Sequence, residues 1–181
     1  MAANAEPMTC ELVSDLADPD ESAAWQAVND GVMGGRSSGG PSWQSDVMTF
    51  SGVINTNGGG FSSVRRDIEP GRMEGAAGLK LRLRGDGRTY RVTVRTAAKY
   101  RGRSINYQAD LAPEMASEWS EVFVPFEAFR ASVFGRAVPA PALDPSTAWS
   151  LGLILADGQD GPFTLDAAWI QACWSGEDPA A

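Results

Sequence analysis

Leu79-Lys80-Leu81-Arg82-Leu83-Arg84-Gly85-Asp86-Gly87-Arg88-Thr89-Tyr90-Arg91-Val92-Thr93-Val94-Arg95 alternates apolar and polar residues on both sides of an Asp-Gly pair. Period-two alternation marks a strand with one buried face, and Asp-Gly favours the tight type I′ turn. The stretch therefore predicts a hairpin pairing Gly85 with Arg88, Leu83 with Tyr90, Leu81 with Val92 and Leu79 with Val94. Its other face would then carry Lys80, Arg82, Arg84, Arg91 and Arg95, a ribbon of cations. Two readings of the ribbon stand: a solvated sheet face paired with acidic neighbours, or a docking surface for an acidic partner. A half-buried Arg95 needs an acceptor, for which Asp166 and Asp30 are the expected choices.

Similar strand signals run along the chain at Val47 to Ile54, Phe61 to Asp67, Ile105 to Leu111, Trp119 to Phe126, Trp149 to Ala156 and Phe163 to Trp174. Twenty Gly and eleven Pro, spread throughout, fit short strands joined by turns. So many strands in 181 residues imply a single sandwich or barrel, residues 9–175, with loose ends at 1–8 and 176–181. Trp119 to Phe126 and Trp149 to Ala156 are apolar on both faces and are expected at the centre of the packing. Asp20 to Val28 reads as a short N-terminal helix capped by Asp20 or Ser22. The predicted core includes Leu81, Leu83, Tyr90, Val92, Val94, Trp119, Val122, Val124, Leu153 and Leu165.

The chain has no histidine, which removes imidazole acid–base catalysis, serine and cysteine triads, and imidazole metal sites. Asp30, Asp86, Asp166, Tyr90 and Tyr107 form no pair that spacing singles out, so no enzyme activity is expected. Fifteen basic against 23 acidic residues give a net charge of −8, which disfavours nucleic acid and anionic membranes. Cys10 and Cys173 are too few for a thiolate metal site; free or buried thiols are the favoured reading, with a disulfide the alternative. No apolar run approaches the roughly 20 residues of a membrane span, and the start lacks a signal-peptide pattern. A cytoplasmic protein is expected, in a bacterium judging from 13 Arg against two Lys.

Two glycine-rich loops stand out. Trp25-Gln26-Ala27-Val28-Asn29-Asp30-Gly31-Val32-Met33-Gly34-Gly35-Arg36-Ser37 runs from an aromatic anchor into a loop with a carboxylate, an arginine and a hydroxyl. Asn57-Gly58-Gly59-Gly60-Phe61 is the second. Gly34 and Gly35 allow close backbone approach and could offer amide donors; the plain alternative is a tight turn tucked against a sheet. Both loops are expected to lie together as a recognition edge.

The first loop is similar to the opening signature of the complex I intermediate-associated protein 30 family. Asn57 to Arg65 resembles that family's Asn-Gly-Gly-Phe segment with one added glycine, and Gly85-Asp86-Gly87-Arg88-Thr89-Tyr90 with Arg95 resembles its Gly-Asp-Gly-x-x-Tyr stretch. Tyr107-Gln108-Ala109, Val124-Pro125-Phe126 and Gly161 to Asp166 continue the match, and Arg136 is taken as equivalent to an arginine of the family's Phe-Arg-Gly-Arg-like stretch. The resemblance implies an all-β, galactose-binding-domain-like jelly-roll sandwich and a non-enzymatic assembly role toward respiratory NADH:quinone oxidoreductase. Its implied partner is a subunit or intermediate of that complex, with no cofactor. Partner-contact candidates are Asn29, Asp30, Met33, Gly34, Gly35, Arg36, Ser37, Asn57, Gly59, Phe61, Arg82, Arg91, Arg95 and Arg136. The alternative is a carbohydrate-binding module, for which Trp43 and Trp174 would have to serve as an exposed platform. Asp157-Gly158-Gln159-Asp160-Gly161 has the oxygen ligands of a calcium loop but reads better as a double turn, so no metal is expected.

Overall fold

The computed structural model describes residues 8–111 and 118–176, so the expected loose ends fall outside it apart from Met8 and Gly176. Among the described residues, thirteen strands build two facing antiparallel sheets: β1 (Thr9–Asp15), β2 (Gln26–Asn29), β3 (Ser38–Gln44), β4 (Val47–Ile54), β5 (Ser62–Asp67), β6 (Gly78–Arg84), β7 (Tyr90–Tyr100), β8 (Arg103–Asp110), β9 (Ser120–Pro125), β10 (Arg130–Val133), β11 (Arg136–Ala137), β12 (Ser150–Leu155) and β13 (Gly161–Trp174). One sheet runs β3-β4-β13-β6-β9, with β1 beside the second half of β13; the other runs β11-β10-β8-β7-β12-β5-β2. This is an all-β sandwich of jelly-roll type.

The expected hairpin does not form. β6 pairs with β13 and β9 in the first sheet, whereas β7 pairs with β8 and β12 in the second. A type I′ turn needs positive φ at both central residues, and here only Gly87 has it, at 86°. Asp86 instead turns its carboxylate into the corner, accepting from Arg88 N at 3.1 Å, Thr164 N at 2.8 Å and the Tyr90 hydroxyl at 3.1 Å. Asp86-Gly87 is thus the corner at which the chain leaves one sheet for the other.

Facing survives this change of partner. Leu79, Leu81 and Leu83 point inward from one sheet and Tyr90, Val92 and Val94 inward from the other, all fully buried. Each such side chain contributes about 1.5–3 kcal/mol by leaving water. Phe50, Phe163 and Tyr90 meet edge-on in the same layer, with centroids 4.9 Å apart for the first pair. Val124, Leu153 and Leu165 are buried as expected; Trp119 and Val122 are only half-buried. Val122 lies on β9 and Trp119 immediately before it; β9 is an edge rather than a centre, and it leaves Phe123 40% exposed. By contrast β12 lies between β5 and β7, and all six of its residues are buried.

Two further expectations change. In place of the N-terminal helix stands a six-residue 3₁₀ segment, Pro19–Ala24, capped by the Asp18 carboxylate on Asp20 N, because the chain must extend again to place the buried Trp25 and pair β2 with β5. The cysteines are joined: β1 and β13 lie in register with Cys10 opposite Cys173, and the two form a disulfide. No helix among the described residues is long and apolar enough to cross a membrane.

Candidate functional site

Where β2 ends, the chain passes through one 3₁₀ turn, Asp30–Met33, and reverses at Gly34 with φ of 85°. Asp30 is wholly buried beneath this turn. One carboxylate oxygen accepts from Ser37 N at 2.9 Å; the other accepts from Gly60 N at 2.6 Å and Phe61 N at 3.3 Å. A Cβ at Gly35 or Gly59 would run into that carboxylate, so both positions need glycine to let backbone close around it. Asn29 adds a second tie, donating to Gly39 O at 3.0 Å and accepting from the Ser62 hydroxyl at 2.5 Å. Ser37 completes the seam by accepting from Asn55 N at 3.0 Å. The two glycine-rich loops therefore do lie together, locked through one side chain.

The arrangement sets the charge state of Asp30. Burial pushes its pKa up, but the Ser37 hydroxyl and the amides of Gly60, Ser37 and Phe61 outweigh this and hold it below the ordinary carboxylate value. The buried anion is consumed in holding backbone, so Asp30 serves as a brace. The amides of Gly34 and Gly35 are likewise taken: Gly34 N donates to Gly31 O and Gly35 N to Asp30 O. What the brace presents is its tip. Val32 is 77% and Met33 57% exposed, with Arg36 and Asn57 exposed beside them.

The cationic ribbon is divided between the two outer faces of the sandwich. Lys80, Arg82 and Arg84 stand on β6, where Lys80 and Arg82 share Glu121 and Arg84 takes Asp166 at 2.7 Å. Arg91 stands on the opposite sheet and takes Asp110 at 2.8 Å. Arg82 and Arg91 accordingly never face each other, and these exposed pairs contribute about 0–1 kcal/mol apiece. Arg95 reaches neither expected carboxylate, since Asp166 is taken by Arg84 and the Thr49 hydroxyl and Asp30 by amides. Its guanidinium lies 6.0 Å from the Trp149 ring, and Nε is buried without a partner. Arg65, which nothing in its strand's alternation sets apart, lies diagonally across β12 from it. Arg136 sits exposed on β11, at the sheet edge opposite β2, and is not part of the braced loops.

The acidic loop after β12 is also committed. Asp157 receives Arg88 through both oxygens, at 2.7 and 2.8 Å, and Asp160 accepts from Thr56 N at 2.6 Å. Burial pushes the Asp157 pKa up, and the Arg88 hydrogen bond pulls it below its usual value. Trp43 and Trp174 are half-buried against the core, the latter donating to Glu74 O, so neither forms a free-standing platform.

A sequence profile of the Complex I intermediate-associated protein 30 (CIA30) family matches residues 14–167, which contain both braced loops. The chain belongs to that family. Among curated relatives, the mouse protein "Complex I intermediate-associated protein 30, mitochondrial" is 36% identical over 96 residues, 51% of this chain. The aligned part is only 29% of the mouse protein's own length. Among solved structures, the family 11 carbohydrate-binding module of a Clostridium thermocellum cellulosomal cellulase is similar at a TM-score of 0.69 and 14% identity, covering 96% of this chain and 98% of that one. The same module in complex with a mixed-linked tetrasaccharide gives 0.67 and 15%, covering 93% and 98%. At that identity the likeness shows the fold of this CIA30-family chain and leaves ligand choice open.

Proposed function

We propose that the protein binds a subunit or assembly intermediate of respiratory NADH:quinone oxidoreductase, without catalysis, through the tip of the Asp30-braced loop. The carrying observation is the pair of apolar side chains, Val32 and Met33, held in water on a turn whose own amides are already bonded. A tip fixed before binding loses little conformational freedom on docking, and an unbranched Met adapts to a partner pocket. Arg36 and Asn57 flank it as rim contacts. Family membership and the name of the mouse relative support complex I as the target. The carbohydrate reading rests on fold alone, given how both candidate tryptophans pack.

Deleting the gene in its native host is expected to lower assembled complex I on native gels together with NADH:quinone oxidoreductase activity. The wild-type gene restores both. A Val32→Asp/Met33→Asp protein with wild-type melting temperature restores little, because charge at the centre of an apolar contact must be desolvated. Undiminished complex I in the deletion strain, or full rescue by the folded variant, would overturn the proposal.

A further inference from the structure

The outer face of the seven-stranded sheet carries two adjacent polar rows. Arg65, Gly152, Thr93 and Gln108 lie in register across β5, β12, β7 and β8, and Ser150, Arg95, Asn106 and Ser132 form the next row across β12, β7, β8 and β10. Arg65 and Arg95 are diagonal neighbours across β12, which offers only Gly152 and Ser150 between them. A Cβ at Gly152 would press on the stem of Arg65, so this side chain lies along the sheet. Both arginines are half-buried, yet among the described residues neither makes an ion pair, whereas Arg66 and Arg88, at comparable burial, pair with Glu21 and Asp157. Asp67, the carboxylate beyond Ser150 in the same row, is exposed and makes none either.

Two orphaned atoms meet here. Arg95 Nε and Asn106 Oδ1, on cross-strand partners, are buried without hydrogen bonds. Burial, and then the charge of Arg95, pull the Arg65 pKa down to about 10, the mark of two cations lacking a counter-ion. Such groups are expensive to leave unpaired. The face continues past Gln108 and Ser132 into a cleft of about 360 Å³ that Arg130 and the paired Arg91 and Asp110 also line. That volume suits a small molecule.

We propose that this face binds a compact oxyanion carrying hydroxyl groups, a hydroxy-carboxylate or a sugar phosphate, with Arg65 and Arg95 on the anionic group and Asn106 Oδ1 accepting from a ligand hydroxyl. In a protein of net charge −8 it is a place where positive charge lacks a partner among the described residues. Guanidinium forks match both carboxylate and phosphate oxygens.

Calorimetric titration at low ionic strength with tartrate, glucose 6-phosphate and neutral glucose tests this. One or both oxyanions should saturate a single site while glucose does not; tartrate alone would name carboxylate as the source and glucose 6-phosphate alone phosphate. Arg65→Met/Arg95→Met keeps the apolar stems and should weaken binding by about 10–100-fold. Arg72→Met, at an exposed arginine that donates to Leu12 O away from this face, should leave it unchanged. Without ligand the double variant should melt no lower than wild type, because it removes charge that has no ion-pair partner among the described residues. Binding of glucose as tight as that of its phosphate, no saturation by either anion, unchanged binding in the double variant, or a lower melting temperature for it would each overturn the proposal. So would binding of a glutamate-rich peptide alone, which would make the face a protein dock.

Discussion

Asp30→Ala is expected to lower the unfolding free energy by about 3–5 kcal/mol, enough to remove a large share of an ordinary domain's stability. The substitution strands the amides of Ser37, Gly60 and Phe61, which now share one buried carboxylate. Each orphaned buried donor costs about 1–3 kcal/mol, and water entering the vacated space offsets part of the sum. Asp30→Asn retains one acceptor oxygen and should recover part of the loss. Because the folded-state pKa is lowered, the contribution is present above the ordinary carboxylate value and is lost as pH falls through the folded one. Acid unfolding of wild type should therefore flatten in the Asn variant. Urea unfolding at neutral pH and at pH 3 checks both, and an Ala variant within about 1 kcal/mol of wild type would deny the brace.

Cleaving the Cys10–Cys173 bond is the second large effect, expected at about 2–5 kcal/mol. The bond closes a loop with a sequence separation of 163, so its loss returns nearly the whole chain's closure entropy to the unfolded state. It also releases β1, which pairs with β13 alone. Reductant should lower the denaturant midpoint of wild type and leave a Cys10→Ala/Cys173→Ala protein unmoved. Two free thiols in the native protein, with no response to reductant, would contradict the pairing. Such bonds persist in oxidising compartments and are rare in a reducing cytoplasm, so thiol counting on protein drawn directly from cells also tests the cytoplasmic expectation.

Much of the fold was legible because alternation reports which face a residue occupies. Val47 to Ile54 forms a strand over the residues its pattern marks, and the leucines of β6 and the apolar residues of β7 are buried as their spacing requires. Alternation does not report which strand lies alongside, and an Asp-Gly pair serves a corner as readily as a hairpin once Asp86 finds acceptor work across the sheets. β3 was invisible for another reason. Ser38-Gly39-Gly40-Pro41-Ser42-Trp43-Gln44 has no apolar period, and it is held by backbone pairing to β4 at an approach so close that a Cβ on Gly52 would strike Ser38 O. The glycine-rich loops announced themselves as special, but only the fold shows that Gly35 and Gly59 make room for a carboxylate of this chain. Arg95 could be placed on an outer face by its spacing; that no carboxylate meets it could not be read from sequence, since every candidate acceptor is distant along the chain.

Site-specific photo-crosslinking tests most directly whether a complex I component touches the braced tip. A benzophenone amino acid would be placed in turn at Met33 and at Phe134, which is 69% exposed beside β10 and β11, at the sheet edge opposite β2. After irradiation of living cells, position 33 is expected to yield a covalent adduct whose second protein is a complex I subunit or assembly intermediate, and position 134 is not. Equal adducts from both positions, or a complex I adduct from position 134 alone, would contradict the account.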